Sequence, residues 1–161
     1  MKITRTTTLD ADVEDVFAII ASREHQEDKL AQYASSSVEI TERAGGAVGI
    51  DTERELPTDG MPGPMVSIVG STLTITEQQS WSQPAADGSR TADLKVTVAG
   101  APVRLVGRLT LAPSEGGSSL AVDADLTCSM PIVGKKVEAA SAPAIEQSFD
   151  LEVDLLTERL R

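Results

Sequence analysis

The feature that most constrains the fold is a run of segments in which apolar residues take every second position. In "SLAVDADLTCSM" (119–130), apolar side chains alternate with Asp, Thr and Ser. Residues 90–100 and 101–112 repeat this pattern. Successive side chains of a strand point to opposite faces, so the pattern predicts an antiparallel meander with one apolar and one hydrated face.

The remaining strands and helices are predicted from changes in the spacing of apolar residues along the chain. "KITRTTTL" (2–9) predicts a first strand, and "LDADVEDVFAIIAS" then predicts a helix with Asp10 as its N-cap. A second short helix is predicted over 23–34. Further strands are predicted over 36–44, 47–56 and 71–81, with Gly45 and Gly46 in a hairpin turn and a Pro- and Gly-rich loop over 57–65.

The chain closes with one long amphipathic helix, predicted from Gly134 to Arg161. Its second half is bulky, whereas the middle, "AASAPA", is small and contains Pro143, which predicts a kink or a break. An apolar sheet face needs a partner layer, and only this helix is long enough to supply one. We therefore expect an α+β fold in which a curved antiparallel sheet of about six to seven strands wraps the helix. The small residues either bring the helix close to the sheet or leave a cavity beneath 137–149.

Composition narrows the functional classes. The 161 residues include only four aromatic ones, so the core is mostly aliphatic, and the formal net charge is −11. An acidic surface disfavours nucleic acid and electrostatic docking to membranes. Neither a signal peptide nor a membrane span is evident. We expect a single domain over 1–161, located in the cytoplasm without stable membrane anchoring, whose oligomeric state the sequence leaves open.

Two motifs carry a resemblance to a known superfamily. "RTTTLDADVEDVFAII" near the start and "PIVGKKVE" before the last helix resemble the START-like helix-grip superfamily (SRPBCC, Bet v 1-like), and more closely its actinobacterial branch DUF2505. The resemblance covers the whole chain. It implies a helix-grip fold with two short helices after strand one, and an apolar ligand between the sheet and the last helix.

The predicted ligand-binding residues lie on the inward faces of the strands and on the thin part of the last helix. They are Arg54, Leu73, Ile75, Glu77, Trp81, Leu94, Val96, Leu105, Leu109, Val122, Ala140, Ala144 and Ser148. Arg54 and Glu77 interrupt apolar rows, so they either pair, meet a ligand's polar end, or are turned outward by a bulge. Met61 and Met65 are either a lid over the ligand or part of an ordinary connector.

Catalytic signals are weak. His25, the one histidine, has acidic neighbours, which favour an exposed helix face. Cys128 is predicted to be a small buried residue, and a dyad with His25 is the alternative. No metal-ligand spacing and no nucleotide-binding motif is present, so we expect neither a metal nor a cofactor.

These observations favour binding or carriage of a small hydrophobic molecule such as a lipid, an isoprenoid or a polyketide. One alternative is a cyclase or aromatase that uses Arg54, Glu77 and His25 in the pocket. A protein-interaction module related to chaperone-stimulating members of the superfamily is the other. The sequence leaves open whether the protein is an enzyme, and it favours a protein that is not.

Overall fold

The computed structural model describes residues 1–61 and 63–161, which form seven strands and four helices. The strands are β1 (Lys2–Leu9), β2 (Ser35–Glu42), β3 (Val48–Pro57), β4 (Thr72–Trp81), β5 (Arg90–Val98), β6 (Val103–Ser114) and β7 (Gly117–Cys128). The helices are α1 (Val13–Ile20), α2 (Arg23–Leu30), α3 (Gly63–Val69) and α4 (Gly134–Arg159).

All seven strands join one antiparallel sheet in the order β1-β7-β6-β5-β4-β3-β2. Strands β2 to β7 therefore form an uninterrupted meander, and β1 adds to its far edge beside β7. The alternation predicted from the sequence is present. Leu120, Val122 and Leu126 of β7 are buried, whereas the intervening Asp123 and Asp125 are exposed. The predicted fold class, an antiparallel sheet with a long C-terminal helix, is confirmed.

Helix α4 covers the apolar face of the sheet unevenly. It packs against β1 and β7 at one edge and against α1 and α2. Val137 near its start and Leu156 near its end are completely buried. Between these two anchors the inward residues include the small Ala140, Ala144 and Ser148, so this part of the helix fills little space next to the sheet.

Helix α1 closes the end of the sheet at which β4 finishes. Phe17 packs edge to face against Trp81, with ring centroids 5.5 Å apart. Arg90 lies over the Phe17 ring at 3.9 Å, donates to both carboxylate oxygens of Glu14, and donates to the Gly46 carbonyl. Aromatic packing and a satisfied buried guanidinium together seal this end.

Two local predictions, for the cap of α1 and for residues 57–65, differ from the structure. Asp12 caps α1 and accepts the Asp15 amide at 2.9 Å, because the helix begins at Val13, two residues later than an Asp10 cap requires. Part of the predicted 57–65 loop belongs to α3, where Pro64 lies in the first turn, a position that needs no amide proton. Pro62, also in that predicted loop, lies outside the described residues.

Helix α4 is continuous through Pro143, so of the predicted kink or break, the break does not occur, and the kink stays a prediction. Proline removes the amide that would bond the Ala139 carbonyl. Both Ala139 and Pro143 are exposed, and water can therefore satisfy that carbonyl.

Candidate functional site

An apolar cavity of about 560 Å³ lies between α4 and the sheet. All thirteen predicted ligand-binding residues line it, and so do Met61 and Met65. Its walls come mainly from β3 to β7, opposite Ala140, Ala144 and Ser148 of α4. Of the two expectations for the small residues, the gap is the one observed. Whether these side chains contact a ligand stays a prediction.

The cavity reaches the surface at the end of the sheet opposite α1. Gly60, Arg104, Ala140 and Ala144 are the lining residues of this region that are exposed. They belong to the β3–β4 connection, the start of β6 and the first half of α4, which the strand register places at one end of the sheet. Met65 of α3 is buried at this opening, a position compatible with the predicted lid.

A cluster of polar side chains interrupts the apolar wall on β3 and β4. Arg54 Nη1 donates to Glu77 Oε2 at 3.4 Å, so the two residues pair from neighbouring strands and are not turned outward by a bulge. Gln79 Nε2 donates to Glu77 Oε1 at 2.7 Å, and Trp81 Nε1 donates to Gln79 Oε1 at 2.8 Å. The Arg54 guanidinium also lies 5.6 Å from the centroid of the Tyr33 ring. These bonds hold Glu77 and Gln79 in fixed orientations on the wall.

The sequence reasoning missed the other half of this cluster. Lys29 of α2 forms an ion pair with Glu152 of α4, and its Nζ lies 3.9 Å from Glu77 Oε1. Both Lys29 and Glu152 line the cavity. Glu152 interrupts the apolar row of α4 between Phe149 and Leu156, and this interruption is the one sequence signal that pointed to it.

The prediction of an exposed His25 is wrong, because this side chain is completely buried. Its Nε2 lies 2.6 Å from Glu152 Oε1, behind the cavity wall. His25 and Lys29 are four residues apart on α2, so both reach the same carboxylate. The acidic neighbours of His25 suggested a solvated face, but they point away from this contact.

Electrostatics hold the cluster in its ionised form. Burial alone would raise the pKa of Glu152, but Lys29 and the bond from His25 lower it to about 2. Burial likewise opposes the charge on Glu77, yet Lys29, Arg54 and Gln79 leave its pKa below the usual value. For Lys29, burial is outweighed by Glu152 and Glu77, so its pKa is raised.

Cys128 is buried, as predicted. Its amide donates to the buried Glu138 carboxylate at 3.0 Å, and this hydrogen bond is the main reason why the pKa of Glu138 is lowered. Cys128 and His25 are both absent from the described lining of the cavity, and this placement does not favour the dyad.

Within residues 1–61 and 63–161, no group of three or more His, Cys, Asp or Glu side chains is arranged to hold a metal ion. In the same part of the chain, no helix is both long and apolar enough to traverse a bilayer.

The gripped helix and the cavity beneath it define a START-like helix-grip fold. Solved structures share the fold at low identity. An aromatase/cyclase from Streptomyces has a TM-score of 0.65 at 11% identity, covering 99% of this chain and 92% of that one. A START superfamily protein from Mycobacterium smegmatis has a TM-score of 0.56 at 15% identity, covering 99% of each chain. A STAR-related lipid transfer protein from Xanthomonas axonopodis has a TM-score of 0.58 at 15% identity, covering 99% of this chain and 85% of that one.

The family itself is established by sequence. The family model described as "Protein of unknown function (DUF2505)" matches residues 4–160, and the chain belongs to this family. An uncharacterized protein of Mycobacterium tuberculosis is 26% identical over 118 residues, which cover 68% of this chain and 67% of the relative. The predicted DUF2505 family is confirmed, and the predicted START-like resemblance is confirmed at the level of the fold.

Proposed function

We propose that this protein binds a small, largely apolar molecule in the cavity beneath α4. The observation that carries the proposal is the cavity itself, about 560 Å³ in volume and walled mainly by aliphatic side chains. Ligand pockets in proteins usually enclose a few hundred to a thousand cubic ångströms and combine apolar walls with a few fixed polar groups. One structural neighbour is named as a lipid transfer protein, and this supports the same class of ligand.

The site favours binding over proton-transfer chemistry. A general acid or base works best when its pKa lies near the working pH. Here the pKa values of Glu77 and Glu152 are lowered and that of Lys29 is raised, so all three move away from neutrality. Such groups orient a bound molecule without exchanging protons with it. We therefore propose a carrier or sensor of an apolar molecule.

Native mass spectrometry of the purified protein, followed by solvent extraction and lipid analysis, tests the proposal directly. The matched variants are Ala144→Phe, which places a ring in the cavity, and Ala139→Phe, which adds the same ring to the exposed side of α4. We expect Ala144→Phe to weaken binding of an apolar fluorescent probe at least tenfold and Ala139→Phe to leave it unchanged. Equal affinity in both variants, or no binding by the wild type, would refute the proposal.

A second candidate is a cyclase or aromatase, favoured by the similarity to the Streptomyces enzyme and by Arg54 and Glu77 in the cavity wall. In that case, much of the catalysis would come from folding a reactive chain in a shaped, dry space. The variants Arg54→Met, Glu77→Gln and His25→Asn should each abolish turnover of a linear polyketide thioester. Turnover that persists in all three would eliminate this candidate.

A further inference from the structure

The buried charges of the cavity wall balance, and Arg104, the other charged lining residue, is exposed at the opening. Lys29 and Arg54 each carry one positive charge, and Glu77 and Glu152 each carry one negative charge. The side chains of these residues are only 10% to 14% exposed. Water can therefore compensate little of any charge added to this region, and a buried charge without a partner is strongly unfavourable.

His25 does not disturb this balance. A carboxylate oxygen can only accept, so the short contact with Glu152 Oε1 assigns the hydrogen to His25 Nε2. The other ring nitrogen, Nδ1, is buried and has no partner among the described residues. A hydrogen on Nδ1 would be a buried donor without an acceptor, so the neutral tautomer fits its surroundings.

Arg54 and Glu77 retain hydrogen-bonding capacity toward the cavity. A guanidinium has five N–H groups, and the one hydrogen bond of Arg54 within the described part of the chain is its long contact with Glu77. Glu77 offers carboxylate lone pairs on the same wall. A hydroxyl group, which both donates and accepts, complements this pair, and a carbonyl group complements Arg54 alone.

On the basis of the proposed binding of an apolar molecule, we propose that the ligand carries an uncharged polar head, a hydroxyl or carbonyl group, held by Arg54 and Glu77. A carboxylate head would leave one negative charge uncompensated and would face Glu77 and Glu152. An ammonium head would leave one positive charge beside Arg54 and Lys29. Both charged heads should therefore bind less tightly than an uncharged head on the same apolar chain.

The experiment compares three ligands that share one alkyl chain: dodecanol, dodecanoate and dodecylamine. Each displaces the uncharged fluorescent probe N-phenylnaphthylamine from the protein at one fixed, mildly alkaline pH. We expect the wild type to bind dodecanol at least tenfold more tightly than either charged ligand. This comparison needs no variant and therefore does not depend on any substitution being tolerated.

Two substitutions shift the balance in opposite directions. Glu77→Gln leaves one net positive charge, so the ratio of dodecanoate to dodecanol affinity should rise at least tenfold. Arg54→Gln leaves one net negative charge, so the ratio for dodecylamine should rise instead. The matched control is Glu55→Gln, which makes the same charge change on the exposed face of β3 and should leave all ratios unchanged.

The outcomes separate this inference from the proposed function. A wild type that displaces the probe but prefers dodecanoate, or shows no preference among the three, overturns the neutral-head inference and leaves cavity binding intact. Ratios that change equally in Glu55→Gln and Glu77→Gln overturn it as well. A protein that binds neither the probe nor any of the three ligands overturns cavity binding itself.

Discussion

Replacing Glu152 by Gln should change the dependence of stability on pH. Glu152 bonds to His25 at 2.6 Å and pairs with Lys29, and its pKa falls from 4.5 to about 2. A carboxyl with a depressed folded-state pKa stabilises the fold above its unfolded pKa. This contribution is lost as the pH falls toward the folded value. The relevant window is therefore between about pH 5 and pH 2.

The size of the effect follows from that shift. At about 1.4 kcal/mol per pH unit, the ionised carboxyl contributes on the order of 3 kcal/mol at neutral pH, and protonation reduces this to about 1 kcal/mol at pH 3. Glu152→Gln keeps the shape of the side chain but leaves Lys29 without its closest partner. We expect the variant to be less stable by on the order of 3 kcal/mol at neutral pH, with a difference that shrinks on acidification.

Urea unfolding of both proteins at a series of pH values between 7 and about 3 measures this difference. Asp154→Asn is the matched control, because it makes the same charge change at an exposed position of the same helix. A stability difference between wild type and Glu152→Gln that stays constant across the whole window would refute the account of the cluster given above.

Three other substitutions test packing and backbone geometry by chemical denaturation. Gly107→Ala should destabilise the protein by about 2–3 kcal/mol, because a methyl group there overlaps the backbone oxygen of Asp123; a loss under about 0.5 kcal/mol would contradict that contact. Ile132→Gly should be stabilising by roughly 1 kcal/mol, because Ile132 is fully exposed and has a φ of 69°; destabilisation would show that its side chain matters. Arg90→Met should destabilise by about 2–3 kcal/mol, since it removes the paired hydrogen bonds to Glu14 and the donor to the Gly46 and Ser82 carbonyls; an unchanged midpoint would contradict this.

Much of the site was predictable because strand alternation fixes which side chains face inward. Once β4 is recognised, Leu73, Ile75 and Glu77 must share a face, and the same rule applied to β3 places Arg54 beside them. The small residues of α4 then predict where space remains. For these reasons the inward residues were identified without coordinates.

The partners of the cluster were not predictable in the same way. His25 and Glu152 are 127 positions apart, and periodicity does not state which side chains meet across such a distance. Helix α2 has almost no apolar pattern, so its buried face, formed by His25, Gln26 and Leu30, gave no signal. Helix α3 was not predicted because prolines and glycines are typical of loops, although proline is also tolerated in a first helical turn.

The pairing of β1 with β7 has a kinetic consequence. The Met1 amino group bonds to the Leu126 carbonyl, 125 positions away, and β1, at the edge of the sheet, pairs with β7. Contacts between distant parts of a chain slow folding, because the loop between them must be ordered first. We therefore expect refolding in the range of milliseconds to seconds, with the inner face of the meander exposed until the last strand and α4 arrive. During that interval the nascent chain is vulnerable to aggregation through surfaces that the native protein keeps for its interior.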